Sequence, residues 1–267
     1  MARTGRASAH GRTRVARLLI VAVAGIVLGV GAFSLWGVIT TARRTTPIYD
    51  PPVLAGRQIP GYCSAGVYAR HEDTVVLTSS PHCAGEGITA ITPDGTTEGV
   101  FGPTARSTTC PHPDHTCAGS DMNYLVVAPD RIPWGHLNEI DLGVGGYRTL
   151  GPDTAALGCD DIAIDDPIEL NGRDVYRTGQ VAEKGEYLHA VEQDGSYFAC
   201  MLASRVQVGP GDSGSVVLVR GIPAGITSRS LGGNLGFTPL AEGLAELGLD
   251  LCTTPDCGLT PPATPPG

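Results

Sequence analysis

Gly209-Pro-Gly-Asp-Ser-Gly-Ser215 runs directly into Val216-Val-Leu-Val219. A serine between glycines on a tight turn holds its hydroxyl clear of its neighbours, and the small flanking residues let another backbone come close. On such a turn the backbone N–H groups of Gly211 and Ser213 can point at one oxygen and stabilise an oxyanion. The apolar, mostly β-branched run that follows reads as a buried strand. Gly-Asp-Ser-Gly alone is also an ordinary turn composition, so its meaning depends on what else the chain supplies.

A serine hydroxyl is a weak nucleophile until a base takes its proton. The candidate base is His82 in Leu77-Thr-Ser-Ser-Pro-His-Cys83, where a β-rich run ends beside a cysteine. Taken alone, this is also what a surface-loop histidine looks like. The base in turn needs a carboxylate that fixes its tautomer and stabilises the imidazolium. Asp121 precedes Tyr124-Leu-Val-Val-Ala128 and so stands at the mouth of a strand. A turn cap is the other reading, and Asp114, Asp130 and Asp141 are rivals on composition.

Taken together, these segments resemble the chymotrypsin/trypsin family of serine proteases, especially its short bacterial secreted members. The order His82, Asp121, Ser213 matches. Ser-Pro-His82-Cys83 resembles the family's histidine segment, and Cys63, twenty residues earlier, resembles the disulfide partner of Cys83. Asp121-Met-Asn-Tyr-Leu-Val-Val and Gly211-Asp-Ser-Gly-Ser215 resemble the aspartate and serine signatures. Ala224-Gly-Ile-Thr-Ser228 resembles the strand lining the primary specificity pocket, and Gly236-Phe-Thr-Pro239 the segment closing it. The resemblance spans residues 61–251. It implies an all-β, double β-barrel fold with a short C-terminal helix, a His82–Asp121–Ser213 triad in the cleft between barrels and an oxyanion hole from the Gly211 and Ser213 amides. It implies an endopeptidase acting on protein or peptide substrates with no metal or organic cofactor.

By the same resemblance Gln207 corresponds to the pocket base, and Ser228, Arg229 and Ser230 to the wall that pairs with substrate backbone. An acidic base would select Arg or Lys, and Gln207 offers no such charge. Arg229 would favour acidic side chains if it faced the pocket; an arginine pointing to water is the favoured reading. Pro81, Asn123 and Ser215 depart from the family pattern, and no Ile-Val-Gly-Gly start is present. Activation by burying a new N-terminus against Asp212 is therefore not expected.

Further strands are read at Thr74–Thr78, Gly87–Ile91, Tyr187–Val191 and Ala224–Thr227, separated by Gly, Pro, Asp and Asn, the spacing of a sandwich or barrel. Leu240, Leu244, Leu247 and Leu251 share one face of a helix, in which Gly243 and Gly248 cost about 1 kcal/mol each relative to alanine. Residues 43–60 read as a linker. Residues 252–267 read as a Cys loop followed by a Pro-rich tail without core-forming residues.

Residues 1–44 hold seven arginines and no acid; the remainder carries 11 basic and 27 acidic residues, a net −16. Phosphates would be repelled by such a body, which argues against a nucleic-acid partner. Leu18–Ala42 is 25 residues without a charge, roughly 37 Å as a helix and enough to cross a membrane. Five arginines precede it, favouring a cytoplasmic segment 1–17 and an extracellular body. A cleaved signal peptide, which would leave the body secreted, is the competing reading.

All eight cysteines follow this run, and an even count in an exported domain points to disulfides. Cys110-Pro-His-Pro-Asp-His-Thr-Cys117 has the residue types of a zinc site, but a Cys110–Cys117 disulfide is preferred. Cys252 and Cys257 are expected to close another small loop, which leaves Cys159 for Cys200.

Overall fold

The computed structural model describes residues 53–59, 61–106, 117–118, 120–173, 175–188 and 197–262. The expected cytoplasmic segment, the membrane-crossing run 18–42, Asp114, the Cys110–Cys117 pairing with its zinc alternative, and residues 263–267 lie outside them.

Two sheets carry the domain, antiparallel throughout except where Cys117–Ala118 pairs parallel with Tyr197–Gln207 at one end of the second. The first has the order β15-β1-β2-β6-β4-β3, made of Asp250–Leu251 (β15), Tyr68–His71 (β1), Thr74–Ser79 (β2), Asn123–Val127 (β6), Thr97–Phe101 (β4) and Thr89–Ile91 (β3). The second has the order β10-β9-β12-β13-β14-β11-β5. Its strands are Val175–Leu188 (β10), Pro167–Gly172 (β9), Val216–Val219 (β12), Ile222–Leu231 (β13), Asn234–Pro239 (β14), Tyr197–Gln207 (β11) and Cys117–Ala118 (β5). Pairing of β10 with β11 closes this sheet into a barrel. In the first sheet the end strands β15 and β3 are not paired with each other among the described residues, so one of the two expected barrels closes through its ladder. A short hairpin, Glu139–Asp141 (β7) with Tyr147–Thr149 (β8), completes the set.

Two main apolar cores form, and the first also takes in Val216, Leu218 and Ile226 from the second sheet. Tyr68, Val75, Leu77, Phe101, Leu125 and Met122 pack inside the first; Ile168, Leu170, Val217, Val219, Leu235 and Phe237 pack inside the second. Leu240–Leu247 forms the one α-helix among the described residues (α1), and it buries Leu240, Leu244 and Leu247 in the first core. Leu251, expected on that helix, belongs to β15 instead, because Gly248 turns the chain left-handed at φ 64°. There Gly248 is the helix stop that only glycine adopts without strain. Gly243 is also a packing requirement: a Cβ on it would stand 2.7 Å from Met122 and 2.8 Å from Ser120.

The linker expected over 43–60 is packed structure in its described part, with Ala55 and Ile59 buried. Arg57 pairs with buried Asp141, whose other oxygen accepts from the Gly143 amide. Asn171 at the end of β9 donates to the carbonyls of Gly56 and Asp141. The Cys252–Cys257 loop likewise packs into the first core and is not part of a loose tail. Cys63–Cys83 and Cys159–Cys200 are bonded as expected.

Candidate active site

β2 and β6 pair antiparallel with Ser79 opposite Asn123 as their last partners. His82 leaves that end of β2 three residues on, and Asp121 enters β6 two residues before it. The same ladder end therefore delivers both side chains. Ser80-Pro81-His82-Cys83 makes a β-turn closed by a 3.0 Å bond from the Cys83 amide to the Ser80 carbonyl, with proline at the position whose φ it fixes. Asn123, which stands where the resembled family has a small residue, donates to the carbonyl of Ala84 and ties down the far side of this loop.

Asp121 is buried, and its oxygen Oδ2 is the focus of the site. Ser228 donates to it at 2.6 Å, Ser80 lies at 3.4 Å, His82 Nδ1 at 3.6 Å and the Arg229 guanidinium at 3.8 Å. The Asp121 amide donates to Thr238 Oγ1, which is itself bonded to Ser120. The His82 ring is half-exposed, and its Nδ1 makes a 2.8 Å hydrogen bond with Ser80 Oγ. Of the rivals to Asp121, Asp141 is held by Arg57 and Asp130 is exposed in a short 3-10 turn.

The Ser213 turn is pressed against the His82 segment. The Ser64 amide donates to the Ser213 carbonyl at 2.8 Å, and the Ser64 hydroxyl donates to the Gly211 carbonyl. Gly214, at φ 84°, approaches so closely that a Cβ would lie 2.3 Å from the Ser64 carbonyl oxygen and 2.6 Å from the Ser79 hydroxyl. Behind the turn, buried Asp212 accepts from the Gly209 amide and pairs with Arg177 of β10 at 3.3 Å. Gly211 is left-handed at φ 92°. Among the described residues, neither the Gly211 nor the Ser213 amide donates a hydrogen bond, while the Asp212 amide between them donates to Gly209. Two unspent donors on one tight turn are available to an oxyanion. Ser213 Oγ makes no hydrogen bond with His82 or any other described residue.

Of the residues expected to contact substrate, Gln207 lies in β11 and Ser228, Arg229 and Ser230 lie in β13. Gln207 is exposed, and its side-chain amide donates to Asn234 at the start of β14, beside the turn from β13. The Ser230 hydroxyl accepts from the Gly233 amide in that same turn. Ser228 turns its hydroxyl inward to Asp121. Arg229, favoured above as a solvent-facing side chain, is only 19 % exposed and lies over the Phe198 ring, 5.3 Å from its centroid. The Cys63 and Cys83 sulfurs and the His82 ring lie within 4.8 Å of one another, but both sulfurs are spent in the disulfide and offer a metal no thiolate. Ser64, Ser80 and Arg177 carry no signature in the sequence that marks them for these positions.

No family model matches the chain, and no curated protein matches it. Among solved structures it is similar to Protease A of Thermobifida fusca (18 % identity, TM-score 0.54, covering 74 % of this chain and 97 % of that one). It is similar also to the Nocardiopsis protease (20 %, TM-score 0.56, 74 % and 98 %) and to the Cellulomonas bogoriensis chymotrypsin (19 %, TM-score 0.53, 76 % and 99 %). At these identities the shared property is the fold.

Proposed function

The chain has the fold of the bacterial chymotrypsin-like serine proteases, and from that premise we propose that it is a serine endopeptidase. The observation that carries the proposal is the pair of unspent Gly211 and Ser213 amides on a turn docked against the His82 loop.

In this mechanism Ser213 Oγ attacks the carbonyl carbon of a peptide bond, and His82 Nε2 takes the hydroxyl proton. The Gly211 and Ser213 amides hold the oxygen as it gains charge. When the tetrahedral intermediate collapses, the C–N bond breaks and His82 returns the proton to the leaving amine. Water then repeats the sequence on the acyl-enzyme, with His82 again as base. Asp121 stabilises the imidazolium. The Ser228–Ser230 segment of β13 lies beside the site and offers substrate its backbone. Half-buried Arg177 already supplies the counter-charge to buried Asp212, so no cleaved N-terminus is needed to order the turn. In this proposal Leu18–Ala42 holds the domain outside the membrane; a C-terminal tag should then be reached by an impermeant reagent on intact cells.

Labelling by a fluorophosphonate tests the chemistry directly. The full-length protein should be modified and Ser213→Ala should not; an unlabelled, folded wild type would sink the proposal. The absent Ser213–His82 hydrogen bond favours one other reading, a non-catalytic binding module on the same fold. That reading expects no labelling and a partner captured equally by the wild type and Ser213→Ala.

A further inference from the structure

We infer that Ser80 is a positioning residue of the site, its hydroxyl standing between Asp121 and His82 and carrying the orientation of one to the other. This rests on the protease reading above and extends it to a residue outside the expected triad.

The distances lead to this directly. At 3.6 Å, Asp121 Oδ2 and His82 Nδ1 are too far apart for a hydrogen bond. The ring nitrogen instead meets Ser80 Oγ at 2.8 Å, and that oxygen lies 3.4 Å from Asp121 Oδ2. Ser228 and Arg229 approach Oδ2 from β13, so on the histidine side the hydroxyl of Ser80 is the donor within reach. Ser80 is buried and its hydroxyl has no other partner.

Counting protons then fixes the arrangement. A serine hydroxyl has one proton to give, and an ionised carboxylate only accepts. If Ser80 donates to Asp121, its lone pair accepts from His82 Nδ1–H, and all three groups are satisfied. That leaves the lone pair of His82 on Nε2, the nitrogen that must take the proton of Ser213. In the reverse arrangement Ser80 donates to Nδ1, the ring proton moves to Nε2, and the ring cannot act as base. Asp121 biases the hydroxyl toward the productive sense.

The sequence holds Ser80 in place. Preceding Pro81, it is confined to extended backbone, and the proline fixes the next φ. The Cys83 amide closes the turn on the Ser80 carbonyl, and Cys83 is bonded to Cys63. Pro81, a departure from the resembled family, is the residue that fixes the spacing between the Ser80 hydroxyl and the His82 ring.

The test uses full-length protein in detergent micelles, with long-range proton–nitrogen NMR of the histidine rings and His82→Gln to assign the signal. The wild type should show His82 protonated on Nδ1. Ser80→Ala should give a mixture of tautomers and a kcat lower by roughly 10- to 100-fold with KM unchanged, while Ser80→Thr restores both. Ser80→Cys keeps the volume with a poor hydrogen-bonding group and should reproduce the alanine defect, so the question stays answerable if alanine destabilises the loop. A variant that keeps the Nδ1–H tautomer and turns over within about 2-fold of wild type would overturn the inference. If the wild type neither labels nor hydrolyses, the protease reading has failed. The tautomer comparison then still decides Ser80: a shift in Ser80→Ala or Ser80→Cys upholds the positioning role, and no shift removes it.

Discussion

Asp212 carries a charge that its 2 % exposure leaves almost no water to solvate, and Arg177 supplies the compensating charge from a strand 35 residues earlier in the chain. Removing one member of a buried pair strands the other, which typically costs 3–5 kcal/mol. Because the Arg177 side chain is partly exposed, Arg177→Met should cost about 3 kcal/mol, toward the low end of that range, as read by urea unfolding. The same variant should lose fluorophosphonate labelling at Ser213, because the turn that aims the Gly211 and Ser213 amides is anchored through Asp212. A variant that unfolds like wild type would show that the pair does not support the turn. His82, Asp121 and Ser213 stand out in the sequence because each sits in a short run whose neighbours mark it, and the structure brings those three runs together. Arg177, Ser64 and Ser80 do not stand out. Ser64 bonds to Gly211 across 147 residues, and nothing local distinguishes such a serine from a solvated one.

At the scale of elements, α1 shows how a sequence rule and a packing contact oppose each other. Replacing Gly243 by alanine would gain about 1 kcal/mol of helix propensity. The new methyl would meet Met122 and Ser120 inside 3 Å, and overpacking of that kind costs about 1–3 kcal/mol. Gly243→Ala is therefore expected to lower stability by about 1 kcal/mol in denaturant titration. It should also reduce turnover, since Ser120 is bonded to the Thr238 hydroxyl that receives the Asp121 amide. Elements with short apolar cores, such as β2 and β12, were legible because burial on both faces gives continuous runs of Val and Leu, and β6 because only Val126 of its run is exposed. The two long strands β10 and β11 were largely missed. Exposed polar residues such as Glu183, Lys184 and Arg205 interrupt their apolar ones, and their register shifts where β10 bulges, so no simple period of two survives. Leu251 was assigned to the helix by spacing, and the left-handed Gly248 diverted it.

For the whole molecule, the acidic body makes the response to acid a matter of its carboxylates. Asp166 is held below the usual carboxylate range first by the Ala163 amide and then by Arg220, and hydrogen bonds act in the same direction on Asp94 and Asp256. A carboxyl depressed in the folded state contributes stability above its unfolded value near 4, and that contribution disappears as pH falls through the folded value. Urea midpoints measured from neutral pH downward should decline below about pH 4. Asp166→Asn should begin less stable and decline less steeply; parallel curves for the two proteins would remove Asp166 from the account.

The first sheet is finished by the end of the chain. β15 covers the outer edge of β1, and Leu240, Leu244, Leu247, Leu249 and Cys252 fill the core that Tyr68 and Leu77 begin. A ribosome making this protein thus releases the His82 segment long before the residues that seal its scaffold, and the Ser213 turn docks onto Ser64 only after both have emerged. A nascent or prematurely ended chain therefore carries His82 and Ser213 without the scaffold that brings their segments together.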